Sequence, residues 1–571
     1  MTRYCAILIL AMVLGACERS PNIVIILADD QGWGDLSMNG NRSVSTANID
    51  RMAQRGAYFD RFYVSPVCSP TRAELLTGRY HTRSNVFGTS AGAERIDPEA
   101  ATLADIFGEA GYATGVFGKW HNGQQAPFHP NSRGFDEFYG FPSGHWGHYF
   151  DAPLEHNNAI VQGEGYLPDD VTDHTLDFMT RHRDRPFLAY IPFNTPHSPM
   201  QVPDVWWDQV PAVLQQPTRP ELEDTVHTRA ALAMTLNIDW NVGRILDHIE
   251  SLNLTGQTIV LYFSDNGPNG ARWNGGMKGR KGSTDEGGVR SPLVIQWPGV
   301  IPPGIRVVPI AGAIDLLPTL AALASVSPPA LLDGISLAPY LTGSSAVLPE
   351  RFIFSHWRGR TSVRSQAHRL GHEGGLFDMV RDPGQTLDIA AEQVQITRRM
   401  EAARQQWEAA VLPDSFEIWP FTVGHPDLAV THLPARDATT AGGWVRSNRY
   451  PNDSYFTSGS DTTGHIAWEV SVLSAAAYQP VIYYTSPHAG TVVELRLGEA
   501  ATTGRIGEAH APPLMGMRDD RVPRIESYVK PFRPLELAPI TLEASEGQLT
   551  LRVVEMAGPL DFRLLTLRRL D

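Results

Sequence analysis

Cysteine is nearly missing from this chain: Cys5, Cys17 and Cys68 are the only three among 571 residues. So few thiols exclude a disulfide framework as the source of stability. Long apolar runs are missing as well. The stretch from Ala6 to Val13 is far shorter than the roughly 20 residues a spanning helix needs. Positive charge is scarce, and the net charge of −15 excludes the basic face of a general nucleic-acid binder. An anionic ligand would need a local basic pocket. Internal repeats and low-complexity tracts do not stand out. The apolar fraction of 42% is that of an ordinary globular protein, and the length asks for two or three domains.

What is present starts with a targeting segment. Arg3, the short apolar run and Leu14-Gly15-Ala16-Cys17 resemble a bacterial lipoprotein signal. The resemblance implies that residues 1–17 act as the signal, with Cys17 lipidated as the mature N-terminus. The expected location is the periplasm or cell surface of a bacterium, held to the outer membrane by lipid alone. Cys5 would be removed, which leaves Cys68 as the one mature thiol.

Val67-Cys68-Ser69-Pro70-Thr71-Arg72 leads into the good helix formers Ala73 to Leu76, and Gly78 can close the element. Cys68 is therefore placed at a helix N-terminus, where free N–H groups favour negative charge. Either a reactive thiol or a small buried cysteine fits this stretch by itself.

Apolar strands ending in polar groups recur along the chain. Ile23 to Leu27 ends in Asp29-Asp30, two adjacent acids whose repulsion a cation would relieve. Tyr112 to Phe117 leads to Lys119 and His121, which extended geometry would put on one face. Phe187 to Phe193 ends in Pro196-His197-Ser198-Pro199, and Thr258 to Phe263 in Asp265-Asn266. Lys281 sits in a glycine-dense loop five residues before Glu286. Polar groups at the C-terminal ends of buried parallel strands lie where open α/β sheets bind ligands.

Taken together, Cys68-Ser69-Pro70-Thr71-Arg72 with Leu75, Thr77, Gly78 and Arg79, Asp29-Asp30, Gly118-Lys119-Trp120-His121, Pro196 to Pro199, Ser264 to Gly267 and Lys281 resemble the type I sulfatases of the alkaline phosphatase-like superfamily. The resemblance spans roughly residues 21 to 410. It implies that a separate formylglycine-generating or sulfatase-maturing enzyme oxidises Cys68 to formylglycine. The hydrated aldehyde would attack the ester sulfur. It further implies one Ca²⁺ held by Asp29, Asp30, Asp265 and Asn266 beside the modified Cys68. Arg72 would stabilise the hydrated aldehyde, His121 would assist elimination, Lys119 and Lys281 would bind sulfate, and His197 would protonate the leaving oxygen. A phosphate-ester or phosphonate hydrolase of the same superfamily, and a non-catalytic carbohydrate-binding surface lipoprotein, are the alternatives.

A sulfated carbohydrate is the expected substrate. His145, Trp146, Tyr149, Arg272 and Trp273 are candidates for the pocket rim, and Trp419, Trp444, Tyr455 and Trp468 for a sugar platform. The expected fold is α/β: a large, mostly parallel sheet sandwiched by helices over residues 21–340, a smaller α+β subdomain over 341–412, and an all-β sandwich over 413–571. Deleting residues 415–571 is expected to impair folding or polymer binding more than turnover of a small aryl ester.

Overall fold

The computed structural model describes residues 20–344, 350–459 and 462–570, so the segment carrying Cys5 and Cys17 lies outside the described residues. A ten-stranded sheet organises the first part of the chain. At its centre is Asn22–Ala28, buried along its whole length. Ile23, Ile25 and Leu27 enter one hydrophobic core, and Val24, Ile26 and Ala28 enter the other. The two-residue period of a strand produces that division.

Thr258–Ser264 and Phe187–Pro192 flank the central strand, both parallel to it. Ala113–Lys119 and Glu137–Phe141 continue the parallel array. The flanks are antiparallel: Leu293–Gln296 on one side, the hairpin Pro153–His156 and Ala159–Gln162 on the other. Helix Thr225–Ser251, capped by Asp224, covers one face. Cys68–Thr77 and Leu316–Leu323 cover the opposite face. Because the central strands run parallel, their C-terminal ends meet along one edge, and the polar groups named above collect there.

A four-stranded antiparallel sheet, Ile353–Trp357 to Leu376–Asp378, and helix Val394–Val411 form the small α+β part. It clamps the Lys281 loop through Glu286, which receives hydrogen bonds from Arg369 and Arg364, at 2.9 Å and 3.3 Å, and from Tyr63 at 2.8 Å. Although burial opposes ionisation, Arg364 and Arg369 hold the Glu286 carboxyl down at about 2.

Two further sheets, starting at Phe421–Val423 and closing with Asp561–Leu570, face each other as a sandwich. Trp444 and Trp468 are buried in its core, so neither belongs to a sugar platform. Trp419 instead packs on Phe128 of the first part, centroids 5.2 Å apart. Tyr455 packs edge-on against Phe532.

Glu74, on the Cys68 helix, is buried and accepts from the Ser65 hydroxyl at 3.0 Å and from the His81 backbone. Burial pushes its carboxyl from 4.5 up to about 8. A raised folded-state value means that the native chain binds the proton more tightly. Stability is therefore full below the unfolded value and is lost as pH rises toward 8, by up to about 4–5 kcal/mol. The Glu74→Gln chain is expected to lose less melting temperature between pH 5 and pH 8.5 than wild type. Equal pH slopes in calorimetry would contradict this.

Candidate active site

Four strand ends build the site, those of Asn22–Ala28, Ala113–Lys119, Phe187–Pro192 and Thr258–Ser264. The Asp265 N–H donates to the Ala28 carbonyl at 3.1 Å, and the Asp29 N–H donates to the Thr195 carbonyl at 3.0 Å, tying the ends together. Asp30 has a left-handed backbone, φ 66°, a conformation that costs a non-glycine residue energy. Arg272 holds that turn by donating to the Asp30 carbonyl at 2.9 Å, while Asp35 pairs with the same guanidinium at 2.7 Å. Arg272 is thus buried and fully engaged, a correction to its reading as pocket rim.

Cys68 is the first residue of helix Cys68–Thr77, which Gly78 closes with φ 65° and an N–H bond to the Glu74 carbonyl. One turn in, Arg72 is close enough to feel the Cys68 charge and is held by acceptors around it. Its guanidinium donates to Asp265 Oδ2 at 2.9 and 3.2 Å and to the Lys119 carbonyl at 2.6 Å. Lys119 Nζ pairs with Asp29 Oδ2, and Lys281 Nζ lies 2.7 Å from Asp30 Oδ1. Three carboxylates thus face three cations in a water-poor locus. Burial pushes the Cys68 thiol up despite both lysines, so the unmodified residue is not poised as a thiolate nucleophile.

The balance of charge leaves acceptors over. Asp29 Oδ1 and Asn266 Oδ1 are buried with no hydrogen-bond partner, a costly state for a polar atom. Burial and the neighbouring Asp29 push the Asp265 carboxyl up to about 7. Among the described residues, two donor groups converge here, Asp29-Asp30-His197 and Asp29-Cys68-Asp265, each with its ligand atoms within 4.8 Å of one another. Both share Asp29, so the two groups adjoin. Oxygen donors with unmet valence suit a hard cation such as Ca²⁺.

Two histidines complete the arrangement. His121 has φ 67°, so the chain has left extended geometry there, and Lys119 still lies close enough to act on the ring. Its Nε2 lies 2.9 Å from the Thr89 carbonyl. A carbonyl only accepts, so Nε2 carries the proton, and Nδ1, buried and unpartnered, keeps a lone pair. Burial and Lys119 keep this ring neutral, well below the usual range. Gly144 packs on it so closely that an added Cβ would lie 2.0 Å from Nε2. His197 donates from Nδ1 to the Ser198 carbonyl at 2.7 Å. Its Nε2 faces Asp30 Oδ2 at 3.7 Å. Burial and Lys281 hold this ring down at about 3.

Of the remaining rim candidates, Tyr149 and His145 are buried. The Tyr149 hydroxyl donates to the Ser198 carbonyl at 2.8 Å, so it braces the His197 turn. His145 Nε2 lies 3.1 Å from Asp453 Oδ2. Both are corrections: neither side chain stands on a rim. Trp273 is half-buried beside Gly34 and Gly40. Trp146, also half-buried, stacks on Phe141 and lines a cavity of about 410 Å³ shared with Tyr483 and Phe532 of the sandwich.

A family model described as Sulfatase matches residues 21–326, a span that contains every strand end of this site. The chain belongs to the sulfatase family. It is a sulfuric ester hydrolase. N-acetylgalactosamine-6-sulfatase of Canis lupus familiaris is 34% identical over 388 residues, 61% of this chain and 71% of the relative. Arylsulfatase A of Bos taurus is 31% identical over 484 residues, 71% of this chain and 92% of the relative. Among solved structures, Ps i-CgsB in complex with k-i-k-neocarrahexaose superposes with a TM-score of 0.64 and 28% identity, over 70% of this chain and 95% of that one.

Sequence reasoning missed the residues that hold the site rather than form it. Asn122 donates to the Ser69 carbonyl at 3.2 Å, pinning the start of the Cys68 helix. Asp453 reaches the site from the sandwich. Neither carries a local pattern that would mark it. Tyr149 and Arg272 stand out as an aromatic and a charge in loops, but the direction of a side chain is not written in its own neighbourhood.

Proposed function

We propose that this sulfatase removes sulfate from a carbohydrate, using a formylglycine derived from Cys68 and one Ca²⁺ held by Asp29, Asp30, Asp265 and Asn266. The observation that carries the reading is the convergence of Cys68, at a helix start, with buried oxygen donors, of which one carboxylate oxygen of Asp29 and the amide oxygen of Asn266 have no partner. Hydrated formylglycine would supply the hydroxyl that attacks sulfur, and the ion would supply positive charge for the sulfate oxygens. Lys119 and Lys281 each hold one acid now and would share their charge with an arriving sulfate. With the ion bound, the locus carries a net charge of about +2, and each close charge pair is worth about 4 kcal/mol at an effective dielectric near 20.

The proton chemistry falls to the histidines. His121, neutral with Nδ1 free, would take a proton during elimination. His197, its Nδ1–H fixed on Ser198, would present Nε2 to the leaving oxygen. The field of Lys281 that strips its proton would be offset by the sulfate, so the substrate complex would hold that proton better than the free enzyme does. The carbohydrate assignment draws on the relatives, whose names and titles specify N-acetylgalactosamine-6-sulfate chemistry and a bound neocarrahexaose.

Mass spectrometry of the Cys68 peptide, together with sulfate release from aryl sulfates and phosphate release from aryl phosphates, tests the proposal. Unmodified Cys68 in a host with the maturing enzyme and no sulfate release would overturn it. Faster phosphate than sulfate release would favour the phosphatase alternative. Export and lipidation at Cys17 belong to the same reading. The Cys17→Ala chain is expected to leave the membrane fraction, with persistence there as the contrary result.

A further inference from the structure

The C-terminal sandwich reaches the catalytic histidines along two routes. On the first, Asp453 is 2% exposed and sits between Arg563 of its own domain and His145 of the first part. Its Oδ1 accepts from Arg563 of its own domain at 2.8 Å, and its Oδ2 lies 3.1 Å from His145 Nε2. Burial opposes ionisation of this carboxyl, but contact with His145 and then Arg563 holds it below the usual carboxylate value. His145 packs edge-to-face on His197, with centroids 5.5 Å apart. Asp453 is held with φ 53°, a left-handed conformation retained only where the surroundings enforce it. The approach is close enough that a Cβ on Gly147 would lie 2.9 Å from Asp453 Oδ2.

The second route braces the other side of the same turn. Arg524 donates to the Gly147 carbonyl and to Asp520. Gln201 donates to Asp520 at 2.8 Å and accepts from the Tyr149 N–H at 2.8 Å. The Tyr149 hydroxyl then donates to the Ser198 carbonyl, the group that also fixes His197 Nδ1.

We propose that Asp453 of the sandwich domain is a positioning residue for His197, acting through His145. A carboxylate oxygen held 3.1 Å from one nitrogen of His145 restrains that ring by charge and contact. The fixed ring forms the wall against which His197 is set. His197 must direct one nitrogen at the leaving oxygen while its other nitrogen is tied to Ser198. A loose wall would therefore cost proton transfer before it cost substrate binding. The matched family model ends at residue 326, so it does not describe this contribution. The inference rests on the proposal that His197 protonates the leaving group.

That dependence supplies the test. A leaving group of low pKa departs without a proton, and one of high pKa needs it. In full-length protein with Cys68 conversion verified, kcat/KM is measured for a series of aryl sulfates of increasing phenol pKa. Asp453→Asn is expected to stay within about twofold of wild type on 4-nitrophenyl sulfate and to fall by about tenfold or more on the least acidic phenols, within the range that general acid catalysis spans. His145→Gln should show the same steepened dependence, and the double variant should be no worse than His145→Gln alone. A parallel drop across the whole series would overturn the proposal, because a structural support lowers all substrates alike. An unchanged slope would overturn it as well, as would a rise in KM with kcat unchanged. If Asp453→Asn fails to fold, His145→Gln carries the same slope test. Absence of sulfate release by wild type is a different failure, since it strikes the proposed function and not the role of Asp453.

Discussion

The Cys68→Ser chain is expected to react once with a sulfate ester and then stop. Cys68 is buried at the start of its helix, and burial raises its thiol above the ordinary value. The sulfur atom itself is therefore a poor nucleophile here, and in the proposed mechanism the position would matter for the formylglycine made from it. A serine places one hydroxyl at the same helix start, beside Lys119, Lys281 and the acids they pair with. That hydroxyl can attack sulfur and release the alcohol. Completing the cycle needs a second hydroxyl on the same carbon to expel sulfate, and serine has none. The expected result is a single stoichiometric release of alcohol, a covalent sulfate on the substituted side chain by mass spectrometry, and steady turnover lower by about 10⁴-fold or more, the scale of losing a nucleophile. Cys68→Ala should show neither release nor adduct. Sustained turnover by the serine chain near the wild-type rate would show that the side chain at this position is not the attacking group.

The same residues show what a sequence can and cannot disclose. Ile23 to Leu27 is apolar without alternation, and it became a strand that feeds two cores. Its pattern is local, so it was legible. So were the acids that end it, the Pro70 and Gly78 punctuation around Cys68, and the inward stripe of helix Thr225–Ser251. The antiparallel flanks of the sheet were not legible, because strand direction is set by partners far along the chain. His121 departs from extended geometry, and its ring packs on Gly144, a tertiary contact that its own neighbourhood does not disclose. Arg272, Tyr149 and His145 were expected at a rim and turn inward, each drawn by a distant partner: Asp35, Ser198 and Asp453. The contacts of Asp453 and Asp520 also change the expectation for the sandwich. Removing residues 415–571 would strip the supports from the His197 turn, so small-ester turnover should fall along with polymer binding.

Removing calcium is expected to abolish turnover and to lower the melting temperature, with both restored by Ca²⁺. Without the ion, Asp29, Asp30 and Asp265 balance Arg72, Lys119 and Lys281 inside a dry locus, and Asp29 Oδ1 and Asn266 Oδ1 have no partner. A cation that binds only the native chain stabilises it by about 2.7 kcal/mol at one hundred times its dissociation constant. The effect also has a sign in pH. In the metal-free protein the Asp265 carboxyl is raised from 3.8 to about 7. The native state therefore holds a proton that the unfolded chain releases, and stability falls as pH rises through that interval. Calcium bound there would compete for the same oxygen atoms and favour the ionised form, which would remove the penalty. The gap in melting temperature with and without Ca²⁺ should widen from pH 5.5 to pH 8. Mg²⁺ is a weaker substitute because it gives up its water reluctantly and demands a tighter octahedral shell. Asp265→Asn should flatten the pH dependence of the gap while keeping an oxygen at the site. A gap that narrows with pH, or a chelated enzyme that stays fully active, would show that these carboxylates serve the lysines and Arg72 alone.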